Sequence, residues 1–142
     1  MVDKIIYLDG AMGTMLQKNG LVAGHSPEVL CLTEPEKIKA IHKAYIDAGS
    51  DIIYANTFGA NSYKLQKSGE SVETVVKAAI KCAKDAASGT NAKVALDVGP
   101  IGQLLEPYGT LAFESANEIF KEMLVAGESA GADLVIYETM TE

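Results

Sequence analysis

Four short apolar segments recur along the chain, and stretches with helical periodicity separate them. The segments span residues 4–8, 51–55, 93–96 and 133–137. Near-continuous apolar runs of this length, alternating with helices, predict buried strands of a parallel sheet that helices cover. The predicted order is strand, helix, strand, helix, strand, helix, strand. The fold class is therefore α/β.

Local signals place the helices between these segments. Thr33 is expected to cap the second helix, because Thr33 and Glu36 form a T-x-x-E box and Pro35 suits the first turn. Gly49 is expected to end that helix. The remaining helices are predicted over residues 11–17, 71–88 and 114–130, with a loop over residues 20–34.

A polar side chain directly follows each predicted strand. These residues are Asp9, Asn56, Asp97 and Glu138, and they recur about every forty residues. That spacing suits the strand-loop-helix-loop units of a (β/α)8 barrel, in which the C-terminal ends of all strands meet at one rim. Doubly wound sheets also bind ligands at the C-terminal ends of their strands, so this pattern alone leaves both folds open.

The predicted rim offers carboxylates, one amide and several glycine-flanked backbone amides. Carboxylates attract an ammonium group, and exposed N–H groups attract a carboxylate. The rim is therefore a candidate site for a zwitterionic amino acid. Asp and Asn are also ordinary turn formers at strand ends. Glu is a poor turn former, so Glu138 is the strongest candidate of the four.

The composition argues against some classes of binding partner and suggests a cellular location. The net charge is −7 and no basic cluster occurs, which argues against nucleic acid and against an anionic membrane surface. The longest apolar runs have the length of a strand, too short to cross a bilayer. The N-terminus lacks the layout of a signal peptide. With only two cysteines, a reducing cytoplasm is the expected location.

Cysteines, histidines and tyrosines are each predicted to have structural roles. Cys31 and Cys82 lack the spacing of metal ligands, so both are expected to be buried or half-buried. His25 and His42 are expected to be structural rather than catalytic. Four tyrosines are also expected to pack: Tyr54, Tyr63, Tyr108 and Tyr137. Tyr108 lies on a predicted loop, from which it could also touch a ligand.

Four segments carry a resemblance to a known family: LDGAMGTML from Leu8, ANTFGAN from Ala55, GPIGQLL from Gly99 and DLVIYETM from Asp133. In this order they resemble the homocysteine S-methyltransferase domain, which cobalamin-dependent methionine synthases and betaine-dependent enzymes carry. The resemblance covers nearly the whole chain. It implies that residues 1–142 form the N-terminal half, with four β/α units, of a TIM (β/α)8 barrel, and that this chain holds no second domain.

The resemblance implies a substrate site at the predicted rim. Homocysteine would lie at the C-terminal ends of the strands, with a zinc ion holding its sulfur. Glu138 would bind the substrate ammonium group. The turn formed by Asp9, Gly10 and Ala11 would hold the amino-acid end, with backbone amides toward the carboxylate. Asn56 would line the same pocket.

The resemblance also implies a reaction. Zinc deprotonates a bound thiol, and the thiolate is the nucleophile. The thiolate would accept a methyl group, from a methylcobalamin and methyltetrahydrofolate system carried by corrinoid or folate modules of the parent protein, to give methionine. The family's zinc ligands are three cysteines that would lie beyond residue 142. No catalytic residue and no metal ligand is therefore expected in this chain, and the isolated chain is expected to be inactive.

Two other interpretations stay open. One is an unrelated barrel or doubly wound enzyme that acts on a small acid, amine or amino acid. The other is a non-catalytic half-barrel fragment. For the isolated chain, two open sheet edges and a half-empty concave face predict self-association. Two copies could then pair the fourth strand of one with the first strand of the other.

Overall fold

In the part of the chain that the structure describes, the central sheet has three parallel strands, which pair in the order in which they follow along the chain. A computed structural model describes residues 5–20 and 26–140 of the chain. Pairing sets Ile53 beside Val94, and Leu96 beside Val135. The fold is α/β, and the three strands lie where the second to fourth apolar segments predicted them: β1 at Ile52–Tyr54, β2 at Lys93–Val98 and β3 at Leu134–Tyr137.

Helices precede or follow every strand. Ser71 caps the helix Val72–Ala87, because its hydroxyl oxygen accepts the Thr74 N–H at 3.1 Å. The predicted helices over 11–17, 71–88 and 114–130 are confirmed, each to within one or two residues. The described helices are α1 at Met12–Lys18, α2 at Leu30–Thr33, α3 at Pro35–Asp47, α4 at Ser62–Leu65, α5 at Val72–Ala87 and α6 at Phe113–Ser129.

Within the described residues, the first predicted strand does not form a regular strand and contributes only an isolated β-bridge. Leu8 forms one parallel bridge with Ile52, and the Asp9 N–H donates to the Ile52 carbonyl at 3.1 Å. The prediction of a buried strand over residues 4–8 is wrong for the described residues 5–8, whose side chains are 48% to 62% exposed. The backbone of this segment hydrogen-bonds to residues 50–52 at the start of β1, and much of its surface remains in contact with solvent.

The segment before α3 is more regular than the predicted loop over residues 20–34. Pro27–Val29 forms a 3-10 turn that leads directly into α2. Thr33 ends α2, and its hydroxyl donates to the Val29 carbonyl at 3.5 Å. The prediction that Thr33 caps α3 is therefore wrong, because the preceding turn already engages this side chain. Helix α3 nevertheless begins at Pro35, as the sequence predicted.

The core lies between the sheet and helix α5, which packs against both α3 and α6. Burying a large aliphatic side chain contributes about 1.5–3 kcal/mol. Gly127 lets α6 approach β2, since a Cβ there would lie 2.6 Å from a methyl carbon of Leu96. The face of α5 toward the core has no exposed surface at Val75, Val76, Ala79, Ile80 and Ala83.

The two cysteines and one histidine lie in this core. Cys31 and Cys82 are both buried free thiols, as predicted, and the Cys82 sulfur lies 3.8 Å from the Cys31 carbonyl oxygen. His42 is fully buried on α3, and neither ring nitrogen has a hydrogen-bond partner. Burial lowers the pKa of His42 to about 4. His25 lies outside the described residues.

The four tyrosines named above differ in burial. The packing prediction is wrong for Tyr63, Tyr108 and Tyr137, which are exposed, Tyr108 to 90%. On β3 the exposed Val135 and Tyr137 alternate with two half-buried side chains, so Tyr137 lies on the strand face that the described residues leave uncovered. Tyr54 is partly buried at the end of β1. No helix within the described ranges is long and apolar enough to cross a membrane.

Candidate functional site

A cavity of about 450 Å³ opens where the strands end. Because the strands are parallel, their C-terminal ends meet at one edge of the sheet, and the side chains that follow them converge there. All the residues predicted to form the rim or to hold substrate line this cavity: Asp9, Gly10, Ala11, Asn56, Asp97 and Glu138.

Asp9 ties the N-terminal segment to β1. Its Oδ2 accepts the Tyr54 N–H at 3.0 Å, across 45 residues of chain. Burial raises the pKa of Asp9 to about 6, and the nearby negative charge of Glu138 adds to this rise. The Tyr54 N–H opposes it, because a donor stabilises the ionised carboxylate. Asp9 therefore changes its charge in a pH range close to neutral.

The Asp9-Gly10-Ala11 turn rests on helix α3. The Tyr45 hydroxyl donates to the Ala11 carbonyl at 3.3 Å. A Cβ at position 10 would lie 3.0 Å from that hydroxyl oxygen, so glycine lets the turn approach α3 closely. The Asp9 N–H already donates to Ile52, which leaves the Gly10 and Ala11 amides as the candidate donors of this turn.

Asp97 is the most deeply buried carboxylate of the rim. Its side chain is 7% exposed, and Oδ1 has no hydrogen-bond partner. Burial raises the pKa of Asp97 to about 7, with further contributions from the negative charges of Glu138, Asp9 and Glu28. The charge of this carboxyl therefore changes near neutral pH.

Glu138 lies at the exposed side of the cavity, directly after β3. Its backbone N–H donates to the Val98 carbonyl at 3.2 Å, which continues the pairing of β3 with β2. The next residue, Thr139, has a φ of 58° and also lines the cavity. A β-branched residue in this left-handed region is unusual, and such backbone conformations cluster at ligand sites.

Asn56 is buried, and its side-chain amide nitrogen has a structural partner. This nitrogen donates to the Pro27 carbonyl at 2.7 Å and lies 3.5 Å from the Cys31 sulfur. Asn56 therefore lines the pocket, as predicted, and at the same time anchors the 3-10 turn to the end of β1.

Glu28 is a buried carboxylate of the cavity that the sequence analysis missed. Its Oε1 accepts the Gly59 N–H at 2.8 Å, and its Oε2 accepts the Ser26 hydroxyl at 2.6 Å. A Cβ at position 59 would lie 2.6 Å from Oε1, so glycine makes room for this contact. The available signal was an acidic residue inside the otherwise apolar run from Pro27 to Leu32.

The described residues do not fit a zinc site. No group of three or more His, Cys, Asp or Glu side chains within residues 5–20 and 26–140 has a geometry that could hold a metal ion. Cys31 and Cys82 lie in the core, where Cys82 is on α5 and does not line the cavity. No chemical step in this chain is therefore assigned to zinc.

The family model described as homocysteine S-methyltransferase matches residues 6–142. The chain belongs to the homocysteine S-methyltransferase family. The matched residues include every rim residue, so the cavity lies within the segment that matches the family model.

The fold is similar to that of the homocysteine methyltransferase MmuM from Escherichia coli. The metallated form of MmuM matches with a TM-score of 0.84 and 24% identity, over 97% of this chain and 55% of that chain. The oxidized form matches with a TM-score of 0.79 and 23% identity, over 92% and 51%. The chain therefore spans about half the length of MmuM.

Proposed function

We propose that the cavity at the strand ends binds homocysteine, and that this chain is the homocysteine-binding portion of a methyltransferase that produces methionine. The observation that carries the proposal is the convergence of Asp9, Asp97 and Glu138 on one cavity in a member of this family. Within the described residues, the cavity lining includes no Lys or His side chain. Such a site favours a ligand with an ammonium group.

Each end of the amino acid has a proposed partner. Glu138 binds the ammonium group, because it is the carboxylate nearest to solvent and follows directly on a strand. The backbone amides of Gly10 and Ala11 bind the substrate carboxylate, since the Asp9 amide is already paired within the sheet. Asp9 shapes this turn through its bond to Tyr54, and Asn56 holds the opposite wall.

We infer further that residues 1–142 are the N-terminal half, with four β/α units and no second domain, of a TIM (β/α)8 barrel. The parallel sheet, the cavity at its C-terminal edge and the coverage of about half of MmuM support this inference. In this proposal the zinc ligands lie outside residues 1–142. The existence of a metallated form of MmuM is consistent with a metal in the complete domain.

The proposed methyl donor is a methylcobalamin and methyltetrahydrofolate system on other modules of a methionine synthase in the cytoplasm. Support for this finer assignment comes from the four segments that resemble the methionine synthase domain. Another cytoplasmic donor would leave the proposed homocysteine site unchanged, because the site recognises the acceptor.

Calorimetric titration of the intact protein tests the proposed site. Homocysteine is compared with 4-mercaptobutanoic acid, which keeps the thiol and the carboxylate and lacks only the ammonium group. We expect homocysteine to bind and the analogue to bind at least tenfold more weakly, because hydrogen bonds to charged groups contribute about 1.5–3 kcal/mol. Equal affinity for the two compounds, or no binding of homocysteine, would contradict the proposal.

A further inference from the structure

Asp97 differs from the other carboxylates of the cavity in what its oxygens contact. Glu28 accepts hydrogen bonds from Ser26 and Gly59, and Asp9 accepts one from Tyr54. Glu138 is exposed to water. Asp97 Oδ1 is buried on the cavity lining without any partner. A buried carboxylate oxygen in this state is rare in folded proteins and points to a ligand group that pairs with it.

The charges around Asp97 are all negative or neutral. Asp9 from the N-terminal segment, Glu28 from the 3-10 turn and Glu138 after β3 each act on it, and the Tyr54 phenol on β1 is the remaining titratable group of the lining. No Lys or His from the described residues lines the cavity. Repulsion between neighbouring carboxylates favours a proton on one of them when no cation lies between them.

Asp97 is the carboxyl best suited to hold that proton. Asp9 and Glu28 each accept hydrogen bonds from N–H or O–H donors, and Glu138 is exposed to water. Asp97 has neither, because its side chain is 7% exposed and its Oδ1 is unpaired. The burial that raises the pKa of Asp97 to about 7 agrees with this assignment.

The cation that would displace the proton is an organic ammonium rather than a metal ion. Metal binding by carboxylates requires several oxygens around one point. The described residues contain no such group of three ligands, although four carboxyls line the cavity. Separated carboxylates can instead surround the three N–H donors of an ammonium group.

We propose that Asp97 gives up a proton when the ammonium group of an amino acid enters the cavity, and that the resulting carboxylate is a second determinant of specificity for that group. The O–H bond of the Asp97 carboxyl breaks and the proton passes to the buffer. The ammonium keeps its three protons, and no electron is transferred. This inference rests on the proposed function, since it assumes that the cavity takes an amino acid.

Calorimetry with methionine tests the proton release directly. Methionine is the product expected from the proposed reaction and has no thiol to ionise. Any released proton therefore comes from the cavity carboxyls, and Asp97, with a higher pKa than Asp9, is expected to contribute most of it. At pH 7, titrations in buffers with different heats of ionisation should show release of roughly half a proton for each methionine bound. Affinity should be roughly tenfold weaker at pH 6 than at pH 8, because only the ionised form binds.

Two aspartate variants separate this role from a general effect of charge. Asp97→Asn should bind methionine on the order of tenfold more weakly than the wild type at pH 8, with no proton release and a flat pH profile from 6 to 8. Asp47→Asn removes an exposed carboxylate at the end of α3, where it pairs with Lys43, and should behave like the wild type.

The outcomes distinguish this inference from the proposed function. Methionine binding without proton release would overturn the inference and leave the homocysteine site standing. Failure to bind both homocysteine and methionine would overturn both. If Asp97→Asn does not fold, carbon-13 NMR of the Asp97 carboxyl in the ligand-free wild type decides: a midpoint near neutral pH supports the inference, and a midpoint near 4 overturns it.

Discussion

The Thr57 hydroxyl makes two hydrogen bonds to the backbone of Asp97, donating to its carbonyl at 2.7 Å and accepting its N–H at 3.0 Å. Both residues are buried, and 40 positions separate them in the chain. This pair joins the loop after β1 to the end of β2. It thereby holds Asp97 at the cavity without engaging the Asp97 carboxyl.

Thr57→Val should lower the free energy of unfolding. Valine has nearly the same shape but leaves the N–H and carbonyl of Asp97 without partners, which costs about 1–3 kcal/mol for a buried group. Urea denaturation followed by circular dichroism measures the change. Thr110→Val, at an exposed position, is the control and should change stability by less than about 0.5 kcal/mol. Equal effects of the two substitutions would contradict the role assigned to Thr57.

Glu138→Gln should weaken homocysteine binding by roughly tenfold to a hundredfold, because a hydrogen bond to a charged group contributes about 1.5–3 kcal/mol. The metal content of the intact protein should not change, since Glu138 is not a proposed metal ligand. Calorimetry and elemental analysis measure the two quantities. Glu128→Gln, at an exposed position near the end of α6, is the matched control. Unchanged affinity in Glu138→Gln would show that another group binds the ammonium.

His42 should make the protein less stable as the pH falls from 6.5 toward 4. In that window the unfolded chain binds a proton at the ordinary pKa of 6.5, whereas the folded chain, with a pKa of about 4, does not. The unfolded state therefore gains up to about 3 kcal/mol relative to the folded state.

His42→Leu should remove this part of the pH dependence. Urea titrations of wild type and variant between pH 4 and 7.5 measure the difference in unfolding free energy, which cancels the opposing contributions of Asp9 and Asp97. At pH 7.5 the variant should be at least as stable as the wild type, because neither His42 nitrogen has a partner to lose. Parallel pH profiles would contradict the assignment.

The 142-residue chain should self-associate at micromolar concentration. Ile5, Ile6 and Tyr7 are exposed on one flank of the sheet, and Val135 and Tyr137 are exposed on β3. Apolar surface of this kind favours association, and pairing of β3 with the N-terminal segment of a second copy would satisfy both edges. Light scattering after size exclusion measures the mass. Val135→Lys should shift the distribution toward monomer, and a monomeric wild type over a wide concentration range would refute the prediction.

The purified 142-residue chain should hold far less than one zinc ion after dialysis. The described residues contain no group of three suitable ligands, and both cysteines are buried in the core. Elemental analysis before and after treatment with a chelator measures the content. A stoichiometric zinc that resists the chelator would show that residues of this chain form a metal site.

The sequence alone determined the elements and the edge at which the candidate site lies. Apolar runs and glycine stops predicted β1 to β3 and the long helices, and Gly49, Gly89 and Gly131 indeed adopt positive φ after those helices. Parallel strands place their C-terminal ends together whatever the details of packing. For that reason Asp9 and Glu138, far apart in sequence, could be assigned to one rim before any coordinates were known.

Only the tertiary structure decided which groups are buried and what charge they carry. Glu28 became part of the cavity through contacts with Ser26 and Gly59, and the second of these lies 31 positions away. Residues 5–8 are exposed because few other residues pack against them. Their apolar sequence pattern does not encode which residues become their neighbours. The protonation of Asp97 depends on burial and on three carboxylates from separate segments. Desolvation and charge repulsion act through space, so spacing along the chain does not determine them.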